Sequence, residues 1–137
     1  MADPFVDTDV LIRLLTRDDH GKQAAAAALF KMIEAGEIQV TTPITTIADA
    51  VYVLSSPRLY RVPRQEVAAL LSTLVRLRHF KIRNRRVVLS ALELYGTTNL
   101  DFGDALIVAS MRQAGSHTLY SYDQDFDRVQ GIDRNEP

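Results

Sequence analysis

Cysteine is absent from the chain, which excludes disulfides, zinc–thiolate centres and cysteine nucleophiles. Histidine is scarce: His20, His79 and His117 stand in unrelated contexts and read as surface or capping residues. A nuclease built on paired histidines is therefore not expected. No glycine pattern of the nucleophile-elbow kind occurs, so Ser/His/Asp catalysis is not expected either. No apolar run approaches the roughly 20 residues of a membrane span. The amino end lacks the basic-then-apolar layout of a secretory signal, and the expectation is an intracellular, cytoplasmic protein. Internal repeats, low-complexity tracts and linkers are also missing.

What is present is an ordinary globular composition, 47% hydrophobic and 24% charged over 137 residues. That length suits one domain over 1–137 with a core of its own. Strand-like and helix-like runs alternate. Pro4-Phe5-Val6 reads as a short buried strand, followed by a helix from Val10 to Leu15 capped by Asp9. A helix over His20–Ala35 stops at Gly36, and Ile38-Gln39-Val40 forms the next strand. Helices follow over Thr45–Leu54 and Pro63–Leu77, the latter with proline in its first turn. Phe80-Lys81-Ile82 is a strand, Arg85–Tyr95 a helix ended by Gly96, and Asp101–Ala114 a helix closed by Gly115. Thr118-Leu119-Tyr120 is a strand, Phe126–Val129 a helical turn, and Ile132 lies in a short edge strand. Strands separated by helices predict an α/β fold, a mostly parallel sheet between helical layers.

Charge is unevenly spread. Between Pro57 and Arg86 stand nine basic residues and one acid, Glu66, whereas the rest of the chain holds seven basic and sixteen acidic residues. A solvated surface is the plain reading of such a run. An anionic partner on the basic face is the functional one.

The acids are more informative. Asp7 follows the first strand directly, and Asp123 follows Tyr120-Ser121-Tyr122 after a later one. Ligands of open parallel sheets bind beyond the carboxyl ends of the strands, where both residues would lie. Asp104, in Asp101-Phe102-Gly103-Asp104-Ala105-Leu106-Ile107-Val108-Ala109, belongs to a helix that reads as buried on every face. It shares a side with Ile107, Val108 and Met111. A buried carboxylate costs several kcal/mol unless paired, hydrogen-bonded or bound to a cation. Capping accounts for Asp101 better than for Asp104. Asp49 is the only charge between Thr41 and Pro57. It reads either as a first-turn acid favoured by the helix dipole or as an isolated acid in need of a partner. Four carboxylates without a thiolate make a hard, oxygen-rich set suited to Mg²⁺ or Mn²⁺. Such a cluster raises its members' pKa values unless a cation is present, and with one it can serve phosphoryl transfer.

The four acidic segments resemble the motifs of the PIN domain, and in particular VapC-type toxins of type II toxin–antitoxin pairs. The segments are Phe5-Val6-Asp7-Thr8-Asp9-Val10-Leu11-Ile12, Thr45 to Leu54, Asp101 to Leu106, and Ser121-Tyr122-Asp123-Gln124-Asp125-Phe126-Asp127. The resemblance implies a PIN-like three-layer α/β/α sandwich and a Mg²⁺- or Mn²⁺-dependent endoribonuclease. It also implies a homodimer restrained by a cognate VapB-type antitoxin. Carried onto this chain, the catalytic residues are Asp7, Asp49, Asp104 and Asp123. The metal residues are Asp7, Asp104 and Asp123, with Asp125 assisting through water. Asp49 departs from the pattern, which usually has glutamate there, one methylene longer. The basic stretch then supplies RNA contacts: Arg76, Arg78, Lys81, Arg83, Arg85 and Arg86.

Two alternatives stand beside it. Asp7-Thr8-Asp9 after a strand also resembles the opening of a haloacid-dehalogenase-type phosphatase, although that family needs a late lysine and the chain has only Lys22, Lys31 and Lys81. The other is a PIN module with a weakened site that only binds nucleic acid or antitoxin.

Overall fold

A computed structural model describes residues 2–137. The first paired segment is minimal. Phe5 forms a single parallel bridge with Thr41, supported by Val6 N–H donating to the Thr41 carbonyl at 3.1 Å and Thr41 N–H to the Pro4 carbonyl at 2.9 Å. Of its residues Val6 is buried and Phe5 is 72% exposed, so the expectation of a short buried strand holds for one of its two faces. Helix α1 then covers Thr8–Leu15 and α2 covers His20–Glu34. The cap of α1 is Asp7, whose side chain accepts from Thr8 N–H, and Asp9 lies inside the first turn. This corrects the assignment of Asp9 as cap. The shift arises because Thr8 already has helical geometry, so the extended residue that precedes the helix is Asp7.

Strand β1 is Val40–Thr42 rather than 38–40, and it leads into α3, Ile44–Ser55. Helix α4 spans Arg64–Val75 with Pro63 before it, β2 is Phe80–Ile82, and α5 spans Arg85–Thr97. Strands β1 and β2 are parallel, with Val40 opposite Phe80 and Thr42 opposite Ile82. Asn84 enters α5 in the left-handed region at φ 55°, which asparagine tolerates better than most residues. Helix α6 is Phe102–Ala114, with Asp101 as cap and Gly115 closing it at φ 70°. After β3, Thr118–Tyr120, a 3₁₀ turn covers Gln124–Arg128, and β4 is Asp133–Asn135, parallel to β3. Among the described residues the strands thus form two parallel pairs, with Phe5 bridged to the first. The fold class is the α/β arrangement read from the sequence.

The core lies between these pieces. Leu11, Ile33, Ile47, Leu54, Leu71, Phe80 and Leu92 are fully buried, and Phe30 tilts against Phe80 with ring centroids 5.7 Å apart. Helix α6 is not buried all round: Ile107 is 42% exposed while Ala105, Val108 and Ala109 face inward. Its apolar side away from the core reaches solvent because α5 and α3, the main helices packed against it, cover the opposite side.

Gly96 does not end α5, which continues to Thr97. The glycine is there for space: a Cβ at this position would meet Ala68 Cβ of α4 at 2.8 Å. The two helices touch at backbone distance, so the residue read as a stop is a packing point inside the helix. Gly96→Val is expected to destabilise the protein by about 1–3 kcal/mol through overpacking, measured by urea denaturation. Ala68→Gly in the same chain should recover part of the loss, because it removes the opposing methyl group.

Candidate functional site

The sequence-predicted acids fall into two groups. The first lines a groove of 510 Å³ between α1 and α3, where Asp7, Asp9 and Asp49 stand with Arg13, Tyr52 and Tyr60. Asp49 and Tyr52 are three residues apart on α3, and Asp9 and Arg13 four apart on α1, so each pair shares a helix face. Asp49 is exposed. Its helix turns Thr46, Ile47, Ala50, Val51 and Leu54 inward, and position 49 falls on the outer face. An apolar neighbourhood in sequence therefore did not mean a buried carboxylate.

The second group surrounds Asp104 at the start of α6. Asp104 is half-buried. Its carboxyl group is held above the usual range, first by burial and then by the charges of Asp101, Asp123 and Asp125. No basic side chain is among the causes of that shift. Asp101 spends one oxygen on the Asp104 N–H at 2.8 Å, the capping role anticipated for it. Asp123 likewise caps the 3₁₀ turn, accepting from Asp125 N–H at 2.9 Å, while its own N–H donates to Ser121 Oγ at 3.0 Å. Among the described residues, no three acidic or histidine side chains converge as a ready set of metal ligands. The fold brings Asp123 and Asp125 within electrostatic reach of Asp104, and Asp7 and Asp49 into one groove. Neither Asp7 nor Asp49 is among the charges that raise Asp104.

Two residues that the sequence did not single out tie down the segments next to these acids. Arg64, in the first turn of α4, donates through Nε to the Tyr95 carbonyl at 3.0 Å and through Nη2 to the Leu100 carbonyl. Its guanidinium also lies 4.0 Å above the Tyr95 ring. Tyr95 meets Phe102 edge-on at 6.5 Å, so Arg64 fixes the connection from α5 into the helix that carries Asp104. Arg134 does the same for the last acids. It donates to Asp127 at 2.8 Å, to Glu136 at 2.8 Å and to the Ser121 carbonyl at 3.0 Å. Asp127 is held below the ordinary carboxylate range by that bond. In sequence, Arg64 was one more basic residue in a basic run, and Arg134 had no motif around it.

The basic residues lie elsewhere. Arg76, Arg78, Lys81, Arg83 and Arg86 are exposed. Arg85 is different: its Nη2 donates to the Phe80 carbonyl at 2.9 Å and the Arg78 carbonyl at 3.3 Å, so its guanidinium serves the β2 connection. Arg85 and Arg86 open α5, whereas Asp101 and Asp104 follow its end. A helix of 13 residues is about 20 Å long, and that length separates them.

Tyr60 is held at the groove by Asp18, to which its hydroxyl donates at 2.7 Å. Thr16 and Arg13 each reach the other Asp18 oxygen at 3.1 Å. The Tyr60 bond holds the Asp18 carboxyl below its ordinary value, helped by Thr16 and Arg13, and the same bond raises Tyr60. The lowered Asp18 contributes stability above about pH 4 that is lost as pH falls through its folded pKa. The raised Tyr60 contributes stability below about pH 10 that is lost as pH rises through its own. Tyr60→Phe should therefore lower the denaturation midpoint at neutral pH, and the gap to the parent should close at both extremes. A gap independent of pH would show that the hydroxyl bond is not the cause.

No helix among the described residues is long and apolar enough to cross a membrane. A family model described as PIN domain matches residues 5–132. Among solved structures, the chain is similar to the Mycobacterium tuberculosis toxin VapC20, described as Sarcin-Ricin loop cleaving. The identity is 21% over 93% of this chain and 95% of that one, with a TM-score of 0.42. No curated protein matches.

Proposed function

This chain belongs to the PIN domain family, and on that footing we propose that it is a metal-dependent endoribonuclease, the toxin of a VapBC-type pair. The observation that carries the reading is Asp104. It is a half-buried carboxylate whose pKa is raised by burial and by three neighbouring aspartates, with no basic side chain to offset them. Such a group gains most from a bound cation. The donor set is all oxygen, which fits Mg²⁺ or Mn²⁺. Asp104 and Asp123 would hold it with Asp7, and Asp125 would act through water. When bound, the cation supplies an activated water and neutralises charge developing on the phosphodiester.

The chain's own groups do the rest. Asp49, exposed on the groove wall, accepts the proton released by the attacking water at a carboxylate oxygen. Arg76, Arg78, Lys81, Arg83 and Arg86 hold phosphates of the RNA away from the cleaved bond. Arg64 and Arg134 keep the acid-bearing segments in register. A cytoplasmic homodimer and a cognate VapB-type antitoxin that occupies the acidic groove complete the proposal.

The test is incubation of purified protein with total RNA in Mg²⁺, Mn²⁺ or EDTA, followed by mapping of new ends. Discrete ends that need the metal support the reading; RNA left intact under every condition overturns it. The basic residues have their own measurement. Arg83→Ala combined with Arg86→Ala should weaken RNA binding. It should also reduce the salt dependence of log K by roughly 0.7 for each phosphate that is no longer neutralised. An unchanged slope would place the RNA on another face.

A further inference from the structure

The groove between α1 and α3 contains more than the ribonuclease reading uses. Tyr52 is 74% exposed and lines the same walls as Asp7 and Asp49. Its ring does not pack against the core and is open to a ligand. Tyr60 stands on the groove with it, and its hydroxyl is anchored by Asp18 at 2.7 Å. Asp9 lines the groove too. It sits in the first turn of α1, where the helix dipole favours an acid, but it leaves the cap to Asp7 and so keeps its carboxylate free for a ligand. The volume of 510 Å³ lies within the roughly 300–1,000 Å³ of small-ligand sites, ample for one nucleotide.

Resting on the ribonuclease reading, we propose that this groove is a nucleobase subsite for single-stranded RNA, selective for a base that carries an exocyclic amino group. The base stacks on Tyr52, with Tyr60 held alongside by Asp18, and Asp9 accepts a hydrogen bond from the amine. Stacking on an exposed ring is how single-stranded RNA is gripped without a duplex. A carboxylate pairs with the amino group of cytosine and finds no such donor on the exocyclic oxygens of uracil. The base adjoining the cleaved phosphodiester would thus be read on α1 and α3.

The test uses the full chain in EDTA, so that binding is measured without cleavage. The probes are fluorescently labelled short RNAs of cytosine only, of uracil only, and an abasic chain of equal length. The parent should bind the cytosine chain several-fold tighter than the uracil chain. Tyr52→Ala should weaken the cytosine chain about tenfold, the size of one stacked base, and leave the abasic chain unchanged; Tyr52→Phe should restore binding. Asp9→Ala should abolish the preference for cytosine over uracil. Equal binding of cytosine and uracil chains by the parent overturns the proposal, as does an effect of Tyr52→Ala that is nil or the same on the abasic chain. Cleavage of total RNA in Mg²⁺ or Mn²⁺ is scored separately. A parent that cleaves, with Tyr52→Ala binding as the parent does, loses only the base subsite. A parent that binds with base preference and never cleaves loses only the nuclease reading.

Discussion

Replacing Asp104 by asparagine is expected to reduce RNA cleavage at least about a hundredfold, the scale for loss of one electrostatic group at a reacting centre. The same substitution should raise the melting temperature of the metal-free protein. Asp104 is half-buried and its charged form is disfavoured by burial and by Asp101, Asp123 and Asp125. Asparagine keeps the shape and removes the charge. The amide N–H of residue 104 still donates to Asp101, so the helix cap survives. Opposite signs for activity and stability are the mark of a carboxylate kept for function rather than for folding. Millimolar Mg²⁺ or Mn²⁺ should raise the melting temperature of the parent by linkage and do so much less in the variant. A parent whose melting temperature stays flat through the titration would remove the case for a shared metal site.

Arg64→Ala is expected to cost about 2–4 kcal/mol of stability in urea denaturation. It removes a cation–π interaction, worth about 0.5–2 kcal/mol, on the Tyr95 ring at 4.0 Å. It also leaves the Tyr95 and Leu100 carbonyls without their donor, a loss of roughly 1–3 kcal/mol where water does not replace it. The functional consequence should exceed that of an equal destabilisation elsewhere, because these carbonyls lie on the segment that delivers Asp101 and Asp104. Arg64→Lys is the informative partner. Lysine keeps the charge but lacks the fork that reaches two carbonyls while lying flat on a ring, so it should recover little. Full recovery by lysine would mean that charge alone matters at this position.

The amino-acid sequence by itself determined the succession of helices and strands, the capping role of Asp101, the closing role of Gly115 and the acids worth watching. Those features are local: a cap needs a short polar side chain three residues before an amide, and a helix end needs a residue that accepts positive φ. Family membership was legible for a related reason, since four motifs in order survive without knowledge of how they pack, and the match over residues 5–132 favours it over the phosphatase likeness of Asp7-Thr8-Asp9. Exposure was not legible. Asp49 sits among apolar neighbours yet faces outward, because only three-dimensional packing decides which side of α3 meets the core. Gly96 looked like a stop and proved to be the point where α4 meets α5. Arg64 and Arg85 looked like members of a phosphate-binding run, and backbone carbonyls distant in sequence or across a turn engage them instead. Tyr52 lay inside the second motif with no role assigned to it, and Tyr60 lay outside every motif; they matter only because α1, α3 and the turn after α3 meet around one groove. Partners of long side chains are chosen by what the fold brings within reach, and that distance is a property of the tertiary structure alone.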